Sequence, residues 1–133
     1  MDLLVIGDVH GCYYTLKKLV KKHWRPGVEV LIQAGDLINK GPHSIKCIQY
    51  WMQLEKTHSG QVCLLRGNHE QLLLDCIQKP HEDNPCYEVW RALIRSDLNL
   101  PEVESWLDEL PLKWENPQLL ITHAGWAKGK KDP

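Results

Sequence analysis

Short apolar runs that end in polar, glycine-containing clusters occur four times in this sequence and constrain its fold more than any other feature. The clusters read GDVHG at residues 7–11, GDLINKG at 35–41, RGNHE at 66–70 and THAG at 122–125. Continuous apolar runs of this length are typical of strands that are buried on both faces. Apolar residues with helical spacing lie between the clusters, so the sequence predicts an α/β fold in which strands alternate with helices.

The predicted elements follow from apolar periodicity and from proline and glycine positions. Strands are predicted at residues 3–7, 28–34, 62–65 and 119–122, and helices around residues 16–23, from Pro42 to about residue 52, and at 71–77, 87–94 and 102–110, with a loop at 79–85. The basic residues between 17 and 22 are expected on the solvent face of the first helix. Cys12, Trp24 and Trp51 are assigned to packing.

Composition limits the protein to one soluble domain, expected at residues 1–127 with a polar tail at 128–133. A formal net charge of −1 gives no reason to expect nucleic acid or a membrane surface as partner. The first apolar run is too short for a signal peptide or a membrane span. The oligomeric state is left open.

The five cysteines are scattered without a CxxC spacing. This pattern fits neither a disulfide framework nor a zinc knuckle, so a reducing, cytoplasmic environment is expected.

Six polar residues lie at the ends of the predicted strands, where loops of an α/β sheet converge on one crevice. They are Asp8, His10, Asp36, Asn68, His69 and His123. Each cluster alone is more often an ordinary turn, but four in succession favour a shared site. Carboxylate, imidazole and amide ligands suit manganese, iron or zinc. Two such ions about 3.5–4 Å apart can hold a phosphoryl group and activate a water as nucleophile.

These motifs resemble those of the calcineurin-like metallophosphoesterases. Within that superfamily they are similar to the phosphoprotein phosphatase group, which includes bacterial serine/threonine phosphatases and symmetrical diadenosine tetraphosphatases. The resemblance implies an αββα sandwich and a site with two divalent ions, manganese being expected. It further implies the following roles: Asp8 and His10 bind the first ion, Asp36 bridges both ions, Asn68 and His123 bind the second, and His69 protonates the leaving oxygen.

The second motif departs from the family pattern GDxxDRG at two positions, which are Asn39 and Lys40 here. In the family these positions hold an aspartate that orients the general acid and an arginine that grips phosphate. Asn39 is therefore expected to support His69 less well than a carboxylate would. Lys40 keeps the positive charge for phosphate but lacks the bidentate fork of arginine.

The family pattern also continues beyond the fourth motif, with a further arginine and a final histidine. Residues 126–133 contain neither residue type, so the sandwich is expected to be truncated at its C-terminus. Three functions remain open. The first is hydrolysis of phosphomonoesters such as phosphoserine or phosphothreonine, the second is symmetrical cleavage of dinucleoside tetraphosphates, which the neutral Asn39 weakly favours, and the third is an inactive or metal-binding-only protein.

Overall fold

The computed structural model describes residues 2–123, over which strands and helices alternate as the sequence predicts. The elements are β1 Asp2–Ile6, α1 Tyr13–His23, β2 Glu29–Gln33, α2 Ser44–Thr57, β3 Val62–Leu64, α3 Asn68–Gln78, α4 Tyr87–Arg95, α5 Leu100–Asp108, β4 Lys113–Asn116 and β5 Leu119–Thr122. Predictions that fall on residues 124–133, including the end of the fourth motif and the polar tail, lie outside the described residues.

A parallel sheet with the strand order β1-β2-β3 forms the centre of the fold. In its register Val5 lies opposite Ile32, and Ile32 lies opposite Cys63. Leu31 and Ile32 of the central strand β2 have no exposed surface, which confirms that this apolar run is buried on both faces. The parallel arrangement brings the carboxyl ends of the three strands to one edge.

An antiparallel hairpin, β4–β5, forms a second, smaller sheet. Trp114 of β4 lies opposite Ile121 of β5. The sequence analysis predicted β5 but missed β4, whose residues Lys113–Asn116 are mostly polar. Four residues with one apolar side chain are too short a pattern to indicate a strand.

The helices pack on one another in a continuous chain of contacts. Helix α2 packs on both α1 and α4, and α3 packs on both α4 and α5. Trp24 and Trp51 are 7% and 0% exposed, which confirms their assignment to packing. Cys12 was assigned to packing as well, but this is wrong, because it lies exposed just before α1. Among the described residues, no helix combines the length and apolar character needed to cross a bilayer.

The starts of helices α2 and α3 differ from the predicted ones in ways that bear on the site. Helix α2 begins at Ser44 rather than Pro42, because the backbone N–H of His43 still bonds the Gly11 carbonyl, 2.9 Å away, outside the helix. Helix α3 begins at Asn68 rather than Gln71, so that the third motif itself forms the first turn. That turn is where the backbone N–H groups of a helix need outside partners, and the Asp36 carboxylate provides one for His69.

Candidate metal centre

Backbone hydrogen bonds join the loop after β1 to the loop after β2. The N–H groups of Val9 and His10 donate to the Asp36 carbonyl at 3.1 and 2.9 Å, and that of Gly11 donates to the Leu37 carbonyl at 2.9 Å. These bonds fix the first two motifs side by side at the sheet edge. The convergence expected from the sequence is therefore realised through the backbone as well as through side chains.

Asp36 lies at the centre of the site and is 5% exposed. Its Oδ1 atom lies 3.1 Å from His69 Nδ1, and its Oδ2 atom lies 3.1 Å from His123 Nε2. The backbone N–H of His69 also donates to Oδ1 at 3.0 Å. Burial raises the pKa of the Asp36 carboxyl, but this hydrogen bond and the charges of His123 and His69 outweigh it, so the pKa lies below its usual value. Asp36 thus presents an ionised carboxylate to two imidazoles.

Glu70 holds the backbone of Asp36 in place and was not singled out in the sequence. Its carboxylate accepts from the N–H groups of Asp36, Gly67 and Leu37 at 2.7, 2.9 and 2.9 Å. Burial raises the pKa of Glu70, which is 1% exposed, while the three donors favour its ionised form. The signal that could have identified Glu70 is its position three residues after Gly67, the spacing of a helix capping box.

Two glycines permit the close approach of these loops. A Cβ on Gly67 would collide with the backbone nitrogen and Oδ1 of Asp36 and with Oε1 of Glu70. Gly35 has a φ of 102°, and a Cβ there would lie 2.6 Å from His123 Nδ1. Gly35 and Gly67 are therefore both required by space, and Gly35 also by its left-handed backbone conformation.

Four non-glycine residues of the first two motifs adopt left-handed backbone conformations. His10, Asp36, Asn39 and Lys40 have φ angles of 48°, 55°, 71° and 66°. Such residues store strain of roughly 1–3 kcal/mol each and cluster at functional sites. These backbone conformations turn His10 and Asp36 toward the common pocket. The bond from the Asp36 N–H to Glu70 holds the second of them in place.

The side chains form two groups whose ligand atoms lie within 4.8 Å of one another. One group contains His10, Asp36 and His69, and the other contains Asp8, Asp36 and His123. Both groups share Asp36, as expected for a carboxylate that bridges two ions. His69 Nδ1 is buried and lacks a hydrogen bond, since its 3.1 Å approach to Asp36 is not aligned as one. The carboxylate and imidazole donors of these groups fit a centre for two divalent ions. The unpartnered Nδ1 of His69 can itself bind an ion, which differs from the proton-donating role that the resemblance implies.

The structure brings five of the six predicted residues into this centre, and the sixth lies beside it. His10 Nε2 lies 3.4 Å from Asp8 Oδ2, but the two ligand groups separate them, with Asp8 beside His123 and His10 beside His69. That Asp8 and His10 bind the same ion stays a prediction. His123 is oriented by a 2.8 Å contact between its Nδ1 atom and the Ala34 carbonyl. Asn68 is exposed at the first position of α3, next to His69. Its role as ligand to the second ion stays a prediction.

Asn39 contacts the chain after α3 through its side chain. Its Nδ2 atom donates to the Pro85 carbonyl at 3.0 Å, and its backbone N–H donates to Ser44 Oγ at 2.8 Å. The next residue, Cys86, donates from its thiol to the His69 carbonyl at 3.3 Å. Burial raises the pKa of Cys86 to about 12, so the thiol stays protonated and can donate. Asn39 thus acts on the surroundings of His69, and its role in orienting the imidazole stays a prediction.

Lys40 is exposed and lines a cavity of about 600 Å³ beside the metal centre. Residues of α4, Glu88 among them, form another wall of this cavity. A lysine at this point can reach an anionic group that extends from the centre. Its contact with phosphate stays a prediction.

The family model for calcineurin-like phosphoesterases matches residues 1–131 of this chain. The chain belongs to this family, and its two ligand groups around Asp36 are consistent with a metal-dependent hydrolase.

Among curated proteins, the chain is similar to symmetrical bis(5'-nucleosyl)-tetraphosphatases. It is 34% identical to the one from Shewanella sp. strain W3-18-1 over 123 residues, which cover 90% of this chain and 43% of that protein. It is 33% identical to the one from Photorhabdus laumondii over 128 residues, which cover 94% of this chain and 44% of that protein. The chain therefore spans less than half the length of these relatives.

Solved structures give the same family assignment. The crystal structure of a provisionally assigned diadenosine tetraphosphatase has a TM-score of 0.73 and 26% identity, and the match covers 97% of this chain and 52% of that one. A serine/threonine phosphatase from Saccharomyces cerevisiae has a TM-score of 0.59 and 25% identity, with 84% and 33% covered.

Proposed function

We propose that this chain forms the metal-binding part of a hydrolase that cleaves dinucleoside tetraphosphates symmetrically. The observation that carries the proposal is the sharing of the buried Asp36 carboxylate by two ligand groups. The similarity to symmetrical tetraphosphatases over 90% of the chain supports this substrate class. Phosphoserine and phosphothreonine, the first substrates considered from the sequence, receive less support, because the serine/threonine phosphatase matches at lower identity and coverage.

The proposed reaction breaks the central P–O–P link of a tetraphosphate. Oxygen of a water molecule forms the new bond to phosphorus, the bridging P–O bond breaks, and each half leaves as a nucleoside diphosphate. Asp8, His10, Asp36 and His123 would hold two divalent ions, which would supply positive charge to the phosphoryl oxygens and acidify the water. We propose manganese as the metal and the cytoplasm as the location, in keeping with five unpaired cysteines.

The chain's own residues position the substrate and manage the proton. Asp36 faces Nδ1 of His69, so the other ring nitrogen, Nε2, is proposed to donate the proton to the leaving oxygen. Lys40 is proposed to hold a phosphate from the rim of the adjoining cavity. Asn39 supports this arrangement through Pro85 rather than by stabilising an imidazolium charge.

Product analysis tests the proposal directly. The purified chain is incubated with manganese and diadenosine tetraphosphate, and the nucleotides are separated by anion exchange. ADP as the sole product supports the proposal, whereas AMP together with ATP contradicts symmetrical cleavage. Hydrolysis of p-nitrophenyl phosphate without any ADP would assign the chain to phosphomonoesters. Metal binding without either activity would leave a metal-binding-only protein.

The variant His69→Asn tests the division of roles at the centre. If His69 is the general acid, turnover should fall by about 10²–10⁴-fold while manganese binding is retained. Calorimetric titration with manganese measures the number of ions bound. His23→Asn, an exposed histidine at the end of α1, serves as the control. Loss of an ion in His69→Asn would instead make His69 a ligand in the group with His10 and Asp36.

A further inference from the structure

A groove between α1 and α2 carries three tyrosines and two lysines and is not used by the metal centre. We call it the tyrosine groove; it encloses about 630 Å³, and its defining residues are Tyr13, Tyr14, Tyr50, Lys17 and Lys46. Glutamines supply the rest of the wall, and no carboxylate of residues 2–123 lines it. The groove thus combines aromatic rings with positive charge.

The rings of the tyrosine groove pack edge to face. The Tyr13 ring lies 5.0 Å from that of Tyr14 and 5.8 Å from that of Tyr50, and the Tyr14 ring lies 5.3 Å from that of His43. Tyr13 and Tyr50 are partly buried against the core, while Tyr14 is 61% exposed. Tyr14 is therefore held by its neighbours yet offers ring surface to a ligand.

The lysines are oriented by these same rings. Lys46 Nζ donates to the Tyr14 hydroxyl at 3.0 Å and lies 5.1 Å from the ring centroid, and Lys17 Nζ lies 5.7 Å from the centroid of Tyr13. The hydrogen bond and charge of Lys46 lower the pKa of Tyr14. An ammonium has three donors, so Lys46 keeps donors for an anion while it bonds Tyr14.

The tyrosine groove is continuous with the surroundings of the metal centre. Lys46 lines both this groove and the cavity of about 600 Å³ that contains Asn39 and Lys40. Ser44, at the start of α2, accepts from the backbone of Asn39, so the helix that carries Lys46 is bonded to the second motif. Lys46 and its hydrogen-bond partner Tyr14 therefore adjoin the cavity that contains Lys40.

We propose that the tyrosine groove binds one nucleoside arm of the dinucleoside polyphosphate substrate, with the base on Tyr14 and a phosphate on Lys46. The inference rests on the proposed function, since the second arm of a symmetrical substrate must leave the centre along some surface. Every nucleobase offers a π face to an aromatic ring, and a lysine provides a point charge for phosphate. A neutral peptide would pack on the rings but would offer no negative charge to the lysines.

Binding of an uncleavable analogue tests the groove without reference to turnover. The probes are a methylene-bridged diadenosine tetraphosphate and inorganic tripolyphosphate, which lacks a base, each titrated calorimetrically into the full chain. Tyr14→Ala should raise the dissociation constant of the analogue by about 10-fold and leave that of tripolyphosphate unchanged. Lys46→Ala should weaken both probes, and the effect should shrink as salt is added.

Two further variants separate the ring from a general effect on structure. Tyr14→Phe keeps the stacking surface and should retain the affinity for the analogue. Lys18→Ala removes an exposed lysine of α1 that does not line the groove and should change neither probe. An unchanged affinity for the analogue in a folded Tyr14→Ala variant, with folding checked by circular dichroism, would overturn the assignment.

Failure of the groove and failure of the proposed function give different results. If the chain produces ADP but Tyr14→Ala leaves both the dissociation constant of the analogue and the KM unchanged, the groove assignment is wrong and the function stands. If the chain produces no ADP but binds the analogue with the dependence on Tyr14 described above, the groove binds nucleotides and the proposed function is wrong.

Discussion

The parallel sheet and the β4–β5 hairpin differ in how they are stabilised and in what they give to the metal centre. Strand β2 is buried almost throughout, whereas every residue of the hairpin strands keeps some exposure. The loops after β1 and β2 carry Asp8, His10 and Asp36, and the first turn of α3 carries His69. The hairpin contributes His123 alone among the described residues. The parallel sheet region therefore supplies most of the candidate ligands, and the hairpin supplies one.

Because of this difference, we expect ion binding to depend more on the parallel sheet region than on the hairpin. Asp36 belongs to both ligand groups, and its loop is fixed by backbone bonds to the first motif and by Glu70. His123 belongs to one group and is oriented by the Ala34 carbonyl, which also belongs to the parallel sheet region. Changes on the sheet side should therefore affect both ions, and changes on the hairpin side should affect one.

The largest effect is expected from Asp36→Asn. This change removes a charge from a carboxylate shared by both ligand groups, so manganese affinity should fall at both ions. Loss of an outer-shell partner already costs about 10–100-fold in metal affinity, and loss of a shared ligand should cost at least the upper value. His123→Asn should weaken one ion only. Calorimetric titration measures both, with the exposed Asp97→Asn as control. Equal losses of manganese affinity in Asp36→Asn and His123→Asn would show that ion binding depends equally on the two regions.

The next effect concerns the sheet itself. Leu31→Ala removes a side chain with no exposed surface from the central strand β2, so unfolding should be easier by about 2–5 kcal/mol. Urea denaturation of the metal-free chain, followed by circular dichroism, measures the change. A loss of stability below about 1 kcal/mol, close to the effect of a surface substitution, would mean that the strand repacks around the cavity.

The sequence predicted the parallel region well because burial on both faces leaves a strong signal. Leu31 and Ile32 are part of an unbroken apolar run, and the motif that follows places Asp36 at the strand end. The hairpin strand β4 has no such signal, since Trp114 alone among its residues is apolar and the partner strand supplies the rest of the pairing. Pairing between distant segments is a tertiary property that a local pattern does not record.

The residues of the metal centre also differ in how well the sequence predicts them. Candidate ion ligands, such as Asp8 and His123, follow from motif and strand-end position. Residues that act through the backbone are harder to predict. The spacing from Gly67 to Glu70 indicates a helix cap, but the bonds from Glu70 to the second motif and from Cys86 to His69 join distant parts of the chain. The roles of Asn39 and Asn68 depend on side-chain orientation, which spacing along the chain leaves open.

Glu70→Gln should have an intermediate effect. An amide can accept on one atom only, so its NH₂ group would face at least one of the backbone N–H donors that the carboxylate now bonds. A buried donor left without a partner costs about 1–3 kcal/mol, and stability should fall by that amount. The exposed Glu88→Gln should leave stability unchanged. A loss equal to that of the control would show that the second motif holds its left-handed backbone without Glu70.

The smallest effect is expected at the hairpin. Leu119 is 44% exposed and lies opposite Asn116, so Leu119→Ala removes little buried surface and should change stability by no more than about 0.5 kcal/mol. Urea denaturation compares it with Leu31→Ala, the same substitution in the buried sheet. The hairpin also leads into His123, so manganese titration of the variant shows whether the two properties are linked. Because the His123 ring is oriented by Ala34 and Asp36, both ions should be retained. Loss of one ion with little change in stability would mean that the hairpin, rather than the parallel sheet, holds the histidine in place.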